Sequence, residues 1–506
     1  MENETVVQTS NGKVRGYGKR GVIKFKGIPY AAPPVGNLRF KPPAPVQPWS
    51  GMRDALEYSG IAPQPPSTLE SMFGGEPRPQ KEAECLTLNV WTPAADNKKR
   101  PVLFFIHGGA FVTGTGASLD GSRLVLQGDV VVVSINYRLG TLGFLYMPDV
   151  PDATPNVGLL DMAAALRFVK DNIAAFGGDP ASVTIFGESA GGFAVASLLG
   201  MPAAKGLFHR AIPQSGAAHP LGFDAKAGER VYEQLMAKLG LKKGDIAGLR
   251  KLPAEDLIKA QIAIMPAGEG DFSTDRPLRL GPVIDKKILP VHPLEALRNG
   301  YAKEIDLFVG SNLDETKLWN LWNPKADEID DKGLFKGAGG IVSLTGRGEA
   351  ETRALIEVYK KLRKTPRNIM DAISTDYMFR IPSVRLAEAQ AGHRKNTYMY
   401  LFAWQSPLRG GKYGAMHALE LPFVFGVLLP KEIGIFPQKT DETEALSRAM
   451  MDTWIAFAKS GTPNNKGIPQ VVPYDAKKRA TIVFDKEIKV VDDPYGEERA
   501  AWQDLM

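Results

Sequence analysis

The pentapeptide Gly187-Glu188-Ser189-Ala190-Gly191 constrains the fold more than any other stretch, because of the segments that flank it. Residues 182–186 are mostly β-branched or aromatic and predict a buried strand, and residues 193–199 predict an apolar helix. Gly-x-Ser-x-Gly between a strand and a helix is typical of a nucleophile elbow, a strained turn that exposes a reactive serine. Glycines let the strand and the helix approach each other, and free N–H groups at the helix N-terminus can face an oxyanion. The pattern alone is often a mere turn, so its catalytic interpretation depends on partners elsewhere.

Apolar segments on both sides of this turn predict a sheet. Residues 102–106 and 130–135 are almost continuously apolar, as expected for strands buried on both faces, and residues 86–91 alternate as a further strand. Residues 159–176 have a helical period. More strands are predicted at 304–310 and 397–402, and helical regions at 225–257, 349–362 and 445–459. Strands that alternate with helices predict an α/β fold with a large, mostly parallel central sheet flanked by helices.

We expect a single domain over residues 1–506, since the chain shows no internal repeat and no interdomain linker. The helical regions after the elbow are expected to be insertions over the active site, at roughly 221–300 and 325–395. Residues 61–84 are rich in Pro, Gly and Ser without a period, and they predict a long surface loop.

The composition argues against several classes of protein. The 62 Lys and Arg against 56 Asp and Glu give a net charge of +6 with no long basic run, so no nucleic-acid partner is expected. No run of about 18 apolar residues is present, so no membrane span is expected. Cys85 is the single cysteine and can form no intrachain disulfide, and the six histidines lack the paired spacing of a metal site.

The first residues have neither the basic nor the apolar region of a signal peptide. The sequence as written therefore predicts a cytoplasmic location. A periplasmic or secreted location is the alternative, if a signal peptide has been removed.

A serine nucleophile needs a base, and the base needs a carboxylate to hold its tautomer. On α/β-hydrolase sheets the order along the chain is serine, acid, histidine. His417 follows the strand predicted at 397–402 and a glycine-rich loop, which suits a base at a strand end. The alternative for His417 is a loop histidine bonded to a backbone carbonyl. The other histidines after Ser189 lie too near the elbow, between prolines or at the wrong strand end: His209, His219, His292 and His393.

Two adjacent carboxylates, Asp314 and Glu315, follow the strand predicted at 304–310 and are the candidates for the acid. The residues alone do not distinguish them, and a solvated acidic pair at a strand end is an equally good interpretation of the pair taken alone.

The expected oxyanion hole follows an earlier strand. Gly108 and Gly109 come directly after residues 102–106 in a His-Gly-Gly pattern, and with the amide of Ala190 they would supply three donors. A glycine pair is usually a turn, but its place after a buried strand and ahead of an elbow favours function. His107 has no acid partner in a suitable order and is expected to be structural.

Taken together, the motifs resemble those of the type-B carboxylesterase and cholinesterase family, and most of all its bacterial para-nitrobenzyl esterases. The resemblance extends over nearly the whole chain. It rests on Gly-Ile-Pro-Tyr-Ala at 27–31, Leu-Arg-Phe at 38–40, Cys-Leu-Thr-Leu-Asn-Val at 85–90, His-Gly-Gly-Ala-Phe at 107–111, Asn-Tyr-Arg-Leu-Gly at 136–140, Phe-Gly-Gly-Asp-Pro at 176–180, the elbow, Ala-Ile-Pro-Gln-Ser-Gly at 211–216, Asp-Glu at 314–315 and His-x-x-Glu-x-x-Phe-Val-Phe at 417–425.

The resemblance implies roles that the residues alone leave open. The second carboxylate of the family's Asp-Glu pair is the triad acid, which implies Glu315 here. Ser215 matches a serine that supports this acid, and Glu188 matches a carboxylate that lines the pocket beside the nucleophile. The family also implies an ion pair between Arg138 and Asp161.

The sequence departs from the family pattern near the entrance to the site. Ala62 stands where the family usually has the first cysteine of a disulfide, so Cys85 has no mate. The family's Glu-Asp before the second cysteine is Ala83-Glu84 in this chain. Thr316 stands in place of the glycine that follows the family's Asp-Glu pair. These changes imply a looser pocket rim and a different specificity.

Five large apolar side chains lie beside the catalytic segments, namely Phe111, Phe193, Trp319, Trp322 and Met416. Any one of them alone is best explained as core. Their common placement favours an aromatic-lined substrate pocket.

These features predict a serine carboxylic-ester hydrolase that forms an acyl-enzyme with Ser189, His417 and Glu315 and needs no cofactor or metal. The substrate is expected to be a small neutral ester with a short or medium acyl chain or an aromatic alcohol, because Glu188 would repel anions. An amidase or thioesterase on the same site is the nearer alternative, and a non-catalytic interaction protein of the same fold is the more distant one. The protein is expected to be a monomer or a weak dimer.

Overall fold

A computed structural model describes residues 3–67, 78–219, 223–265, 280–321, 323, 325–431 and 436–506. They form a sheet of 13 strands in the order β1-β2-β3-β5-β7-β6-β8-β9-β10-β11-β12-β13, with β4 beside β2. The strands are β1 Asn3–Thr9, β2 Gly12–Lys19, β3 Val22–Pro29, β4 Met52–Asp54, β5 Thr87–Thr92, β6 Arg100–Ile106, β7 Val131–Ile135, β8 Gly178–Glu188, β9 Arg210–Gln214, β10 Asp306–Asn312, β11 Thr397–Phe402, β12 Ala480–Phe484 and β13 Lys489–Asp492.

The centre of the sheet is parallel and buried on both faces. Strands β7, β6, β8, β9, β10, β11 and β12 run parallel, and antiparallel strands complete both edges. In β6, Val102 and Phe104 enter the core on one face, whereas Leu103 and Phe105 enter the core on the other. This two-sided burial explains the unbroken apolar runs of the sequence and confirms the predicted α/β fold.

Helices cover both faces of this sheet. Those of five residues or more are Ser122–Gly128, Gly140–Phe144, Val157–Asn172, Ala190–Leu199, Ala225–Lys238, Ile246–Lys251, Ala254–Ile264, Pro293–Arg298, Asp331–Ser343, Glu349–Lys360, Pro366–Thr375, Ile381–Ala391, Leu421–Phe425, Asp441–Ser460 and Gly496–Ala501. In the part of the chain that the structure describes, none of them has both the length and the apolarity needed to cross a bilayer.

The long segments that follow β9 and β10 are largely helical. Among the described residues, four α-helices lie between β9 and β10 within the range 221–300, and four α-helices lie between β10 and β11 within the range 325–395. Residues 221–222 and 266–279 of the first range lie outside the described residues. The second set packs around a cluster of its own that includes Tyr359, Phe379 and Trp502.

The composition of residues 61–84 predicted a long surface loop, but part of this segment is buried. Residues 61–64 are buried. The amide side chain of Gln64 accepts a hydrogen bond from Gly114 N at 2.7 Å and donates one to Gly114 O at 3.1 Å, so the loop start is fixed beside the segment that follows β6. Residues 68–77 lie outside the described residues. Cys85 is a buried free thiol, and Ala62, in the usual place of its mate, is buried as well.

The ion pair expected between Arg138 and Asp161 is present and buried. The guanidinium donates to Asp161 Oδ2 at 2.8 Å and to Oδ1 at 2.6 Å, and the amide of Arg138 donates to Oδ2 at 3.1 Å. A further guanidinium N–H reaches Lys41 O at 2.9 Å. The pair therefore joins the segment after β7 to the helix Val157–Asn172.

Removal of one partner of this pair is expected to destabilise the protein strongly. Asp161→Asn leaves a buried guanidinium without its counter-charge, which should lower the free energy of unfolding by about 3–5 kcal/mol. Urea unfolding followed by tryptophan fluorescence measures the change. The matched control is Glu255→Gln, which breaks an exposed pair with Lys259 and should leave the midpoint within experimental error. Equal midpoints for both variants would contradict the expectation.

Candidate active site

The turn between β8 and the helix Ala190–Leu199 holds Ser189 in a strained conformation. Its φ of 56° and ψ of −123° lie outside the regions that ordinary residues adopt. The turn is possible because glycines surround it: a Cβ on Gly187 would lie 2.6 Å from Ile106 O, and one on Gly191 would overlap the same oxygen. Ser189 is partly exposed and its amide donates to Gln214 O at 3.0 Å. This is the geometry of a nucleophile elbow.

The imidazole of His417 is bound to Glu315. Its Nδ1 lies 2.6 Å from Glu315 Oε2, and the His417 amide donates to Glu315 O at 3.2 Å. The other carboxylate oxygen of Glu315 accepts a hydrogen bond from Asn312 N at 2.7 Å. The side chain of Glu315 is fully buried. The carboxylate therefore favours a proton on Nδ1, and Nε2 is the ring nitrogen that could exchange a proton with another group.

Asp314 points away from the imidazole and has a different set of contacts. Its Oδ2 accepts hydrogen bonds from Ala415 N at 3.0 Å and from Gln405 Nε2 at 3.1 Å, and its Oδ1 pairs with Lys317 at 2.9 Å. These contacts tie the segment after β10 to the loop that carries His417. The geometry thus separates the two adjacent carboxylates, which the residues alone had not done.

The second ring nitrogen of His417 faces another carboxylate. His417 Nε2 lies 3.0 Å from Glu188 Oε1, an ion-pair distance, but the two atoms lack the alignment of a hydrogen bond. Within the described part of the chain, no hydrogen bond joins Ser189 Oγ to the imidazole. Transfer of the Ser189 proton to the imidazole would therefore require the two groups to change their relative orientation.

Two carboxylates change the proton affinity of this imidazole. Burial opposes the charged ring, but the charges of Glu188 and Glu315 outweigh it and raise the pKa of His417 to about 9. Burial also raises the pKa of Glu188 well above its usual value, although the positive imidazole beside it opposes this shift. The site is therefore arranged to stabilise an imidazolium.

A third buried carboxylate, Glu420, lies close to the pair of His417 and Glu315. The sequence analysis named it only within the motif at 417–425. Its Oε2 accepts a hydrogen bond from Asn312 Nδ2 at 2.7 Å and its Oε1 accepts one from Gln214 Nε2 at 3.0 Å. Burial, reinforced by the charge of Glu315, raises the pKa of Glu420 to about 7. The same Asn312 thus holds both Glu315 and Glu420. The spacing His417-x-x-Glu420 was the signal that could have identified this residue as functional.

The predicted oxyanion donors are adjacent to the serine. A Cβ on Gly108 would lie 3.2 Å from Ser189 Cβ. Gly109, with φ of 106°, accepts two backbone hydrogen bonds of 2.9 Å that close a tight turn. Among the described residues, the amides of Gly108 and Gly109 donate to no acceptor. Ala190 opens its helix, where an amide has no intrahelical acceptor. All three N–H groups are therefore available to a ligand.

His107 is a buried part of the oxyanion loop, as expected for a structural role. Its ring stacks on Tyr137 with centroids 4.4 Å apart, and its Nδ1 lies 2.8 Å from Gly108 O. Burial lowers the pKa of His107 to about 4, so the ring is neutral.

Aromatic rings surround the imidazole and the oxyanion turn. Trp319 lies with its ring centroid 5.1 Å from that of His417, and Phe379, which the sequence analysis missed, lies 4.9 Å from it. Phe111 is buried against Phe144 at 4.9 Å. Phe193 is partly exposed one turn after Ser189, and its amide donates to Ser189 O at 2.9 Å. Trp322 lies outside the described residues.

Two of the expected site residues have contacts other than those predicted. Ser215 is fully buried, but in the described residues its hydroxyl has no hydrogen-bond partner, so it does not donate to Glu315. The amide of Asn312 occupies that role instead. Met416 is fully buried in the core beneath the site, and its carbonyl accepts from Asn312 Nδ2 at 2.8 Å. Its burial and its carbonyl contact fix the residue that directly precedes His417.

A mostly parallel sheet with a serine on a strained turn at the end of its central strand defines an α/β-hydrolase fold. The chain belongs to the carboxylesterase family, whose sequence model matches residues 3–502. It is therefore a carboxylic ester hydrolase, as the resemblance had predicted.

The chain is similar to named esterases and hydrolases over almost its whole length. The para-nitrobenzyl esterase of Bacillus subtilis (strain 168) is 40% identical over 98% of this chain and 97% of its own. The phenmedipham hydrolase of Pseudarthrobacter oxydans is 34% identical over 96% of each chain. A crystal structure of a carboxylesterase from Geobacillus stearothermophilus at pH 6.2 matches 99% of this chain and all of its own, with a TM-score of 0.86 and 40% identity.

The contacts of the two adjacent carboxylates predict opposite effects on catalysis. Glu315→Gln should lower kcat by about 10²–10⁴-fold, since the amide cannot hold the imidazole tautomer. Asp314→Asn should lower the melting temperature but change kcat by less than about threefold, because Asp314 only ties two loops together. Steady-state hydrolysis of p-nitrophenyl butyrate and thermal unfolding measure the two effects. The reverse pattern would make Asp314 the acid.

The raised pKa of His417 predicts activity that increases in alkaline solution. The imidazole can accept the Ser189 proton only when neutral, so kcat/KM should rise with pH through an apparent pKa near 9. Glu188→Gln removes a charge that raises this pKa and should move the rise to lower pH. Hydrolysis is followed where p-nitrophenol and its anion absorb equally, with Asp314→Asn as the control that keeps the wild-type profile. A rise at the same pH in Glu188→Gln would contradict the assignment.

Proposed function

We propose that the protein hydrolyses carboxylic esters through a Ser189–His417–Glu315 triad and an acyl-enzyme. The observation that carries the proposal is the 2.6 Å contact between His417 Nδ1 and Glu315 Oε2 in a structure that also presents Ser189 on a strained elbow. Serine becomes a useful nucleophile only when such a base is available.

In this mechanism Ser189 Oγ attacks the ester carbonyl while His417 Nε2 takes its proton. The amides of Gly108, Gly109 and Ala190 donate to the oxyanion that forms. The tetrahedral intermediate collapses, His417 protonates the departing alcohol, and the acyl group stays on Ser189. A water molecule then gives its proton to the same imidazole and attacks the acyl carbonyl. The carboxylic acid leaves as Ser189 recovers its proton.

Glu188 has a proposed electrostatic role in both steps. Its Oε1 lies 3.0 Å from the nitrogen that becomes protonated, so its charge favours the imidazolium that forms with each tetrahedral intermediate. The same charge would repel a substrate carboxylate close to the serine. We therefore propose a preference for neutral esters.

The aromatic surroundings support a substrate with a short or medium acyl chain or an aromatic alcohol. Phe111, Phe193 and Trp319 are proposed to line the site. Ser215 and Met416 are proposed to act behind it through their backbones, since Ser215 N donates to Gly310 O of β10 at 2.9 Å and Met416 O accepts from Asn312 Nδ2 at 2.8 Å. The relatives named above are, by their names, a para-nitrobenzyl esterase and a phenmedipham hydrolase, and the nitrobenzyl group of the first name is aromatic.

Other functions are less well supported. An amidase or thioesterase would use the same groups, so it remains the second candidate on this site. A non-catalytic interaction protein is disfavoured, since the elbow serine and the bound histidine–glutamate pair are both present. We further propose that residues 1–506 form one domain with helical insertions at roughly 221–300 and 325–395, acting as a monomer or weak dimer without a cofactor.

Removal of the nucleophile should abolish turnover and leave the fold intact. Ser189→Ala is expected to lower kcat for p-nitrophenyl esters by roughly 10³-fold or more, because the triad acts as a unit. The far-ultraviolet circular dichroism spectrum and melting temperature serve as the controls for folding. A folded variant with more than about a tenth of wild-type turnover would exclude Ser189 as the nucleophile.

Substrate choice should favour small neutral esters. The kcat/KM for p-nitrophenyl butyrate is expected to exceed that for emulsified triolein, because triolein is large. It should also exceed that for the mono-p-nitrophenyl ester of succinic acid, because this ester is anionic. A panel of esters that varies acyl length, alcohol and charge measures this, with butyramide and thiobutyrate analogues to detect the alternative activities. Equal or better kcat/KM on triolein would contradict the proposed pocket.

A further inference from the structure

One turn between β10 and β11 is wider than an α-helical turn. Residues Asp376–Arg380 form a π-helical turn that joins the helix Pro366–Thr375 to the helix Ile381–Ala391. Turns of this kind are rare, and they occur frequently at functional sites. Here the turn carries Phe379, which is almost fully buried and whose ring lies 4.9 Å from the imidazole of His417 and 6.0 Å from the parallel ring of Trp319.

Buried charges close this turn on itself. Arg380 Nε donates to Asp376 Oδ1 and a terminal guanidinium nitrogen donates to Asp376 Oδ2, both at 2.6 Å. The hydroxyl of Tyr359 donates to Asp376 Oδ2 as well. The Asp376 and Arg380 side chains are each 5% exposed. A buried ion pair tolerates little displacement, because any loss of its contacts leaves charges without solvent.

The C-terminal segment supplies the remaining partners of these charges. Pro494 O accepts a hydrogen bond from Arg380 at 3.1 Å, and Glu498 Oε2 lies 3.9 Å from the same guanidinium. Glu498 also binds Arg363. Trp502 is fully buried, and its Nε1 donates to Tyr359 Oη at 2.8 Å. The segment from Pro494 to Trp502 thus contacts both the charges of the turn and Tyr359, which binds Asp376.

We propose that the C-terminal segment positions the catalytic imidazole, by fixing the Asp376–Arg380 turn that presses Phe379 against His417. The inference rests on the proposed function, in which His417 is the base. Phe379 contacts the imidazole, whereas Arg380 and Glu498 act through it as positioning residues.

The contact of Phe379 with His417 matters because the imidazole has two possible partners for its Nε2 atom, Glu188 and Ser189. His417 Nε2 faces Glu188 at 3.0 Å, and catalysis needs it to face Ser189. The carboxylates of Glu315, Glu188 and Glu420 attract the ring, and the two aromatic rings limit its tilt. Misplacement of a catalytic group by about 1 Å can cost up to about 10²-fold in rate. A loosened Phe379 therefore reduces kcat even though the triad is complete.

Two variants test the two links. Phe379→Leu removes the ring that contacts the imidazole but keeps an apolar side chain. Glu498→Gln removes the negative charge near Arg380 and keeps a side chain of nearly the same shape. Burial and the charge of Asp376 raise the pKa of Glu498 to about 7, so the assays are made at about pH 8.5, where the wild-type carboxylate is charged. The matched controls are Glu497→Gln, the exposed neighbour that pairs with Lys361, and Glu388→Gln, which breaks a pair on the helix Ile381–Ala391.

Rates are expressed per active site, counted by titration with a fluorophosphonate that labels Ser189. Phe379→Leu should lower kcat about tenfold and Glu498→Gln about three- to fivefold, with KM within about twofold. The loss should be the same for p-nitrophenyl acetate and hexanoate. The low-field proton resonance of His417 Nδ1–H should broaden in both variants, and the two controls should match the wild type in every measurement.

The outcomes separate this inference from the proposed function. If His417→Ala is inactive while Phe379→Leu or Glu498→Gln keeps the wild-type kcat per site, the positioning role is overturned and the triad stands. A loss that varies with acyl length would also overturn it, since Phe379 would then be a wall of the pocket. If folded His417→Ala remains active, the proposed function itself fails.

Discussion

The close approach of the carboxyl ends of β6 and β8 is the constraint on which the active site depends. Ile106 pairs with Gly187 in the sheet, and the next residues on both strands have almost no space between them. A Cβ on Gly108 would lie 2.8 Å from Glu188 O, and one on Gly187 would lie 2.6 Å from Ile106 O. Only glycine fits these places. The packing of the backbone therefore places the proposed oxyanion donor Gly108 beside the serine, and the side chains of His107 and Thr113 contact the carbonyls of Gly108 and Gly109.

Much of this arrangement could be predicted from the sequence because its signals are local. The two-sided burial of the central strands gives apolar runs, and the strained turn requires glycines at fixed spacing around Ser189. The strand predicted at 397–402 is β11, Thr397–Phe402, without any change of bounds. His417 was found by its place after this strand. These predictions needed only the residues within about 18 positions of each feature.

The remaining features depend on distances across the fold, which no local pattern encodes. Asp314 and Glu315 are neighbours with the same chemistry, and only the direction of each side chain separates them. The resemblance to a family supplied that choice. It also implied that Ser215 supports the acid, and in the described residues the buried Ser215 hydroxyl has no hydrogen-bond partner. Phe379 carries no sequence signal, since a π-helical turn has no recognised pattern and Phe379 meets His417 only through tertiary packing.

The sheet order also bears on how the protein acquires its activity during folding. His417 and Glu315 are 102 residues apart in sequence, and their strands β11 and β10 are neighbours. Chains dominated by such distant contacts pay the entropy of loop closure before any contact rewards it, so they fold slowly. Secondary structure can form early, but a bound His417–Glu315 pair requires β8 to β11 to be in register. The rate at which esterase activity returns during refolding therefore reports the rate at which the parallel sheet forms. Optical probes of helix content would not detect this step.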